Sequence, residues 1–184
     1  GKTGVAENST PQAVTITITD NESAPSVTLT TSATSIAENA GSSLTLTATI
    51  GNATFQDVTV SIDGTGGTAT EGTDFGTVSD ITISAGATTG TTSFTPTDDS
   101  IYDATSNETA GISVSGVTGG GASENGDQSV TITITDNESA PTLTLSTSAS
   151  SIAENAGSSL TLTATLSNGT CLLYTSDAAD ESVG

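Results

Sequence analysis

Acidic side chains gather in several short segments of this chain, and these residues are the clearest candidates for a chemical role. Between residues 26 and 141 they include Glu38, Asp74, the pair Asp98 and Asp99, and Asp136. Most of them follow a run of alternating apolar residues or lie in a turn-like segment. Ca²⁺ takes roughly six to eight oxygen ligands, more than one short loop supplies. The pattern therefore predicts a calcium site built from several loops at one end of a β domain.

The composition narrows the possible partners. The chain has 21 acidic residues and one basic residue, Lys2, giving a formal charge of −20. This charge disfavours binding to nucleic acid and to anionic membrane surfaces. Histidine is absent and Cys171 is the single cysteine. A histidine-based triad, a His/Cys zinc site and an intramolecular disulfide are therefore excluded.

No apolar run approaches the roughly 20 residues that cross a bilayer, so we expect no direct membrane insertion. No signal peptide opens the chain, and we expect it to be an internal part of a longer protein.

The sequence contains a long internal repeat. The segment SIAENAGSSLTLTATIGN at 35–52 returns as SIAENAGSSLTLTATLSN at 151–168, an offset of 116 residues. Residues 14–54 and 130–170 are identical at 34 of 41 positions. A period of this length is the size of a small domain. We therefore predict the end of one repeat at 1–25, a complete repeat at 26–141 and the first strands of another at 142–170.

The last residues require separate treatment. Agreement between the two copies stops after Thr170, and the segment CLLYTSDAADE that follows resembles the translation of a transposase sequencing adapter. Residues 171–184 are therefore excluded from the fold prediction.

Alternating apolar and hydroxyl side chains predict strands with one buried and one solvated face. Threonine and serine fill 67 of the 184 positions, and threonine favours extended backbone. The complete repeat has seven such runs, which predict an antiparallel immunoglobulin-like sandwich. These runs are residues 27–31, 44–50, 58–62, 81–83, 91–95, 112–114 and 130–134. Residues 14–19 repeat the last run and are predicted to be a strand of the preceding repeat.

Four motifs of the complete repeat together resemble a known family. They are IAENAG at 36–41, GTATEGTDF at 67–75, TDDSIYD at 97–103 and TITITDNE at 131–138. Their order is similar to that of the Calx-β domain, a module of sodium–calcium exchangers and large bacterial surface proteins. The resemblance implies tandem seven-stranded sandwiches that bind calcium at the end where the chain leaves the domain.

The resemblance also implies a set of calcium ligands. Within the complete repeat they are Glu38, Asp74, Asp98, Asp99, Ile101 through its carbonyl, Asp103, Glu108, Asp136, Asn137 and Glu138. In the flanking repeats the counterparts are Asp20, Asn21, Glu22 and Glu154. Asn137 and Glu138 stand where the family often has aspartates, which leaves the number of ions open. Asp63 and Glu71 match no ligand position and are predicted to be turn or solvent-facing residues.

We therefore expect a calcium-binding structural repeat of an extracellular or cell-surface protein, such as an adhesin stalk, matrix fibre or surface filament. Its expected partners are neighbouring repeats and other copies of the chain. One alternative is a calcium-sensing regulatory module of a membrane transporter or receptor, and another is an accessory module of a secreted enzyme. We expect no enzymatic activity. Asp98 and Asp99 are sequence neighbours that rarely face one sugar, and the glycines at 119–121 lack the context of a phosphate loop.

Overall fold

The protein is described by a computed structural model that covers residues 4, 13–19, 21–103, 107–155 and 157–170. Every regular element in these ranges is a β-strand, so the all-β prediction is confirmed. No helix that could span a membrane occurs among them. The strands are β1 (Ser26–Thr31), β2 (Ser35–Ala37), β3 (Leu44–Ile50), β4 (Val58–Gly67), β5 (Ile81–Ile83), β6 (Thr89–Phe94), β7 (Ile101–Tyr102), β8 (Asn107–Thr118), β9 (Ser123–Glu124), β10 (Ser129–Thr135), β11 (Leu143–Thr147), β12 (Leu162–Leu166) and β13 (Gly169–Thr170).

Two sheets share one hydrophobic core. One sheet has the order β6-β3-β1-β9 and the other has the order β2-β10-β8-β4-β5. The alternation seen in the sequence places threonines outward and aliphatic side chains inward, as in β3, where Leu46, Ala48 and Ile50 are buried. Phe75 and Phe94 supply the aromatic centre, with ring centroids 4.9 Å apart. The hydrophobic core formed by the described residues lies between Val27 and Ile134, so this unit holds its own core.

The prediction of seven antiparallel strands is wrong in the number of strands and in their direction, because additional short strands are present and two of them pair in parallel. The sheets are mixed, because β2 runs parallel to β10 and β9 runs parallel to β1. These extra strands have three and two residues, too short for an alternating pattern to reveal them. Ile36 nevertheless lies opposite Ile134 and is buried beside it.

The prediction of a strand at residues 14–19 is also wrong. The identical sequence VTITIT forms most of β10, where it pairs with β2 and β8 and buries Ile132 completely. Residues 14–19 have no strand partner among the described residues, and Ile16 is 82% exposed. The same letters therefore have different structures because only one copy has neighbouring strands.

The second copy of the repeat begins with a hairpin. Strands β11 and β12 pair Leu143 with Leu166, the register in which β1 and β3 pair Val27 with Ile50. The apolar side chains of this hairpin are exposed, unlike their counterparts in the complete unit. A second complete sandwich is thus not formed by the described residues.

A glycine cluster shapes the end of the sandwich that carries the acidic residues. The β4–β8 register shifts twice between Ser61 and Gly66, which bends the end of β4. Gly67 has φ +95°, and a Cβ there would lie 2.0 Å from the carbonyl oxygen of Thr109. Only glycine allows this approach, which leads the chain directly into the loop that carries Asp74.

Candidate metal centre

Three neighbouring strands bring their acidic residues to one end of the five-stranded sheet. At the end of β10, Thr135 pairs with Ala37 of β2 on one side and with Asn107 of β8 on the other. Glu38 follows β2 directly and Asp136 follows β10 directly. Because these strands pair side by side, the two carboxylates emerge at the same edge.

Glu38, Asp136 and Glu138 form a carboxylate triad. One oxygen from each of them lies within 4.8 Å of the others, a spacing that a metal ion could bridge. All three residues are partly buried. None of the described residues is basic, since the one basic residue of the chain, Lys2, lies outside them.

Backbone amides hold the triad in place. Asp136 accepts hydrogen bonds from the amides of Asp103, at 2.7 Å, and Glu138, also at 2.7 Å. The amide of Asn137 donates to Glu38 Oε1 at 3.1 Å. The Asn137 side chain donates to Glu138 Oε1 at 2.9 Å. The segment after β10 therefore orients all three carboxylates through its own N–H groups and one amide side chain.

One oxygen of the triad stands out. Glu138 Oε2 is buried and has no hydrogen-bond partner. A buried carboxylate oxygen without a donor is costly, and a bound cation is one way to satisfy it. This atom makes the triad a candidate site for a metal ion.

The triad borders a wider acidic depression. The free space in its centre is about 10 Å³, close to the volume needed for one water molecule or ion. Its lining comprises Glu38, Asp74, Thr97, Asp99, Asp103, Asn107, Glu108, Ile134 and Asp136. Six carboxylates from five chain segments therefore line a space of single-ion size, and Glu138 adjoins it through the triad.

Local turns fix the two loops opposite the triad. Asp74 Oδ2 accepts the amide hydrogen of Thr70 at 2.6 Å, which closes the loop after β4. Asp99 Oδ1 accepts the amide hydrogen of Ile101 at 2.7 Å, an Asx turn. These bonds hold the loops without using a basic side chain.

The crowding of carboxylates changes their proton affinity. Burial, followed by the proximity of Glu138 and Asp136, raises the pKa of Glu38 to about 7. Burial and the charges of Asp74, Asp103 and Asp99 raise the pKa of Glu108 to about 7. Burial also acts to raise the pKa of Asp136, but hydrogen bonds from the Glu138 and Asp103 amides outweigh it and lower that pKa.

Nine of the predicted ligands lie at or beside this centre. Glu38, Asp74, Asp99, Asp103, Glu108, Asp136 and Glu138 come together at this centre. Asn137 orients the triad through its amide groups instead. Asp98 lines a separate shallow depression that it shares with Glu38.

The remaining predicted ligands are not at this centre or lie outside the described residues. Ile101 is half exposed on β7, and its amide bonds Asp99. Asn21, Glu22 and Glu154 are exposed in the flanking segments and do not belong to the triad. Asp20 lies outside the described residues.

Two polar residues of the depression were not predicted. Thr97 precedes Asp98 in the central acidic motif, and Asn107 precedes Glu108. Their adjacency to predicted ligands was the available signal, but neutral side chains do not stand out in a chain rich in threonine.

Asp63 and Glu71 have structural roles. Asp63 Oδ1 accepts the amide hydrogen of Thr65 at 2.9 Å, as a turn residue does, and hydrogen bonds from the Thr65 side chain and amide lower the pKa of Asp63. Glu71 is not solvent-facing, because its Oε1 accepts the amide hydrogen of Val78 at 2.9 Å. Neither side chain lines the acidic depression.

The raised pKa values predict that the metal-free protein becomes more stable in mild acid. For Glu38 and Glu108 the pKa rises from 4.5 to about 7 on folding, so the folded state binds more protons between these values. The free energy of unfolding therefore falls as the pH rises through this window. In the presence of chelator, we expect a higher melting temperature at about pH 5.5 than at about pH 8. The double variant Glu38→Gln, Glu108→Gln should flatten the profile, and a lower wild-type melting temperature at pH 5.5 would contradict the assignment.

Comparison with known proteins adds little to this geometry. No protein-family model and no curated protein matches the chain. Among solved structures, it is similar to a two-domain protein of unknown function from Bacteroides fragilis, with a TM-score of 0.45 and 10% sequence identity. The match covers 68% of this chain and 55% of the other, so this chain spans about half of that protein's length.

Proposed function

We propose that this chain is a calcium-binding structural repeat of an extracellular or cell-surface protein. In this proposal, residues 26–141 are a Calx-β repeat, and calcium rigidifies its acidic loops and the junction to the following repeat. Such repeats would build an adhesin stalk, a matrix fibre or a surface filament.

One observation supports this proposal most strongly. Six carboxylates line a space of single-ion size with no basic residue among the described residues, and Glu138 Oε2 of the adjoining triad is buried without a donor. Like charges gathered in this way repel one another unless a cation or protons neutralise them. A divalent ion would satisfy both the charge and the orphaned oxygen.

The ligand chemistry favours Ca²⁺ over Mg²⁺. All of the charged donors are carboxylates, and they come from separate loops with irregular spacing. Ca²⁺ accepts irregular sets of roughly six to eight oxygens, whereas Mg²⁺ requires near-octahedral geometry and retains more water. Extracellular fluids also contain calcium at concentrations that suit weak sites of this kind.

The position of the site supports a role in stiffening the chain. Asp136, Asn137 and Glu138 are followed within a few residues by β11 of the next repeat. An ion bound to the first and last of these residues would restrain the connection between two repeats. In metal-free protein, the repulsion among the carboxylates would favour movement of the same segment.

Thermal unfolding with and without calcium tests the proposal. If the dissociation constant is about 10⁻⁴ M, then about 10 mM calcium adds on the order of 2.7 kcal/mol per site. For a domain of this size, we expect the melting temperature to rise by about 10 °C relative to chelator. An equal rise with magnesium would remove the preference for calcium, and the absence of any rise would remove the proposal.

A further inference from the structure

The junction between the complete unit and the following repeat has a defined set of contacts. Asn168, in the loop after β12, donates its side-chain N–H to the carbonyl oxygen of Ser139 in the linker at 2.6 Å. The adjacent strand β13 forms a parallel bridge with β7, in which Gly169 lies opposite Ile101 and Thr170 lies opposite Tyr102. The loop after β12 thus contacts both the linker and strand β7 of the preceding repeat.

The first of these contacts occurs twice in the chain. Asn52, the counterpart of Asn168 at the repeat offset of 116, donates to the carbonyl oxygen of Ser23 at 3.2 Å. Ser23 is likewise the counterpart of Ser139. The recurrence indicates that this asparagine clasp belongs to the repeat and is not an accident of one loop.

Among the described residues the first junction shows the clasp without a counterpart of the bridge, and the surface beside it is open. The surface, here called the socket, has a volume of about 480 Å³ and is formed by the linker 22–25, the loop 52–55 and the glycines at 120–121. Phe55 lines the socket and is 86% exposed, although phenylalanine usually lies in cores. The loop residues Ala53 and Thr54 are the counterparts of the two residues of β13 that pair with β7.

We infer that the socket is a docking surface for the Ile101–Tyr102 edge of a second copy of this repeat. The bridge between β13 and β7 shows that the equivalent loop accepts this edge. Addition of an extended segment to a backbone edge is a common mode of recognition. Of the two counterpart residues Ala53 is the exposed one, since Thr54 is buried and its carbonyl oxygen accepts the Gly86 amide. The half-exposed Ile101 side chain belongs to this edge. In the docked pair it would offer apolar surface to the Phe55 ring of the other copy.

The two faces lie on different parts of the unit, so the contact is heterologous. A head-to-tail contact of this kind continues from one copy to the next without closing on itself. Within one chain the linker would hold the two faces at high effective concentration. The inference does not depend on calcium, because the clasp and bridge use amides and carbonyls and no carboxylate.

Hydrogen exchange on the full chain tests the clasp and bridge directly. Asn168→Asp keeps the shape of the side chain but replaces the donor N–H with a carboxylate facing the Ser139 carbonyl. We expect exchange of the amides of Tyr102, Ser139 and Ala140 to accelerate at least tenfold in this variant, in calcium and in chelator alike. Asn52→Asp, the matched control, breaks the equivalent clasp at the other junction and should leave these amides unchanged. Equal exchange in wild type and Asn168→Asp, with core amides of β3 and β8 still protected, would overturn the inference.

A second measurement addresses the occupant of the socket. The unit 26–141 contains the whole described core and therefore folds without its flanks, and in it the Ile101–Tyr102 edge is uncovered. Its own socket is incomplete because it lacks residues 22–25, so this unit serves as an edge donor for isotope-labelled full chain. We expect the amide signals of Gly120 and Gly121 to shift on titration. Signals that stay unchanged at millimolar donor would contradict docking of a second copy.

Discussion

Asp136→Asn is expected to weaken calcium binding by at least about tenfold. Asp136 is one of the three carboxylates of the triad and accepts two backbone hydrogen bonds at 2.7 Å. The amide side chain has nearly the same shape but lacks the charge. Loss of groups that merely orient metal ligands costs roughly 10–100-fold in affinity, so loss of a ligand's charge should cost at least as much. The measurement is the dissociation constant from a calcium titration of wild type and variant.

A matched substitution distinguishes the effect of a charge at the triad from the effect of the net charge of the chain. Asp127 is exposed and lies outside the acidic depression, so Asp127→Asn removes one negative charge elsewhere on the same unit. We expect its calcium affinity to equal that of wild type. If Asp127→Asn weakened binding as much as Asp136→Asn, calcium would be held by the overall charge of −20 and not by the triad.

Phe94→Ala is expected to lower the free energy of unfolding by about 3–5 kcal/mol. Phe94 is fully buried and packs against Phe75, with ring centroids 4.9 Å apart. The chain is only 3% aromatic, so few other side chains could fill the cavity. A loss of this size is a large share of the stability of a small domain. Denaturant unfolding of the full chain in calcium measures it.

Phe55→Ala is the corresponding control. It removes the same atoms from an aromatic side chain that is 86% exposed, so we expect a change within about 0.5 kcal/mol. A loss comparable to that of Phe94→Ala would mean that Phe55 is buried in solution. A loss for Phe94→Ala below about 1 kcal/mol would contradict the core described above.

The sequence predicted the inward-facing strands well because their alternation is local. Leu46, Ala48 and Ile50 are buried as their spacing requires. It did not predict that Ile16 and Ile132, which occupy identical local sequences, would be 82% and 0% exposed. Burial of a strand depends on the strands beside it, and these are distant in sequence.

The candidate site was predictable in its residue types but not in its grouping. The acidic motifs identified Glu38 and Asp136, which strand pairing brings together. Asp98 and Asp99 look equivalent in sequence, yet only Asp99 lines the central depression. The turn that Asp99 forms with the Ile101 amide decides this difference, and such a side-chain bond has no periodic signature.

Calorimetric titration of the wild-type chain with calcium at about pH 8 tests the central claim most directly, because Glu38 and Glu108 are then ionised. The account predicts saturable binding of at least one ion with a dissociation constant of about 10⁻³ M or tighter, within the range of extracellular modules. It also predicts weaker binding at about pH 5.5, where protons occupy these two carboxylates. Absence of saturable binding at pH 8 would contradict the assignment of this acidic centre to calcium.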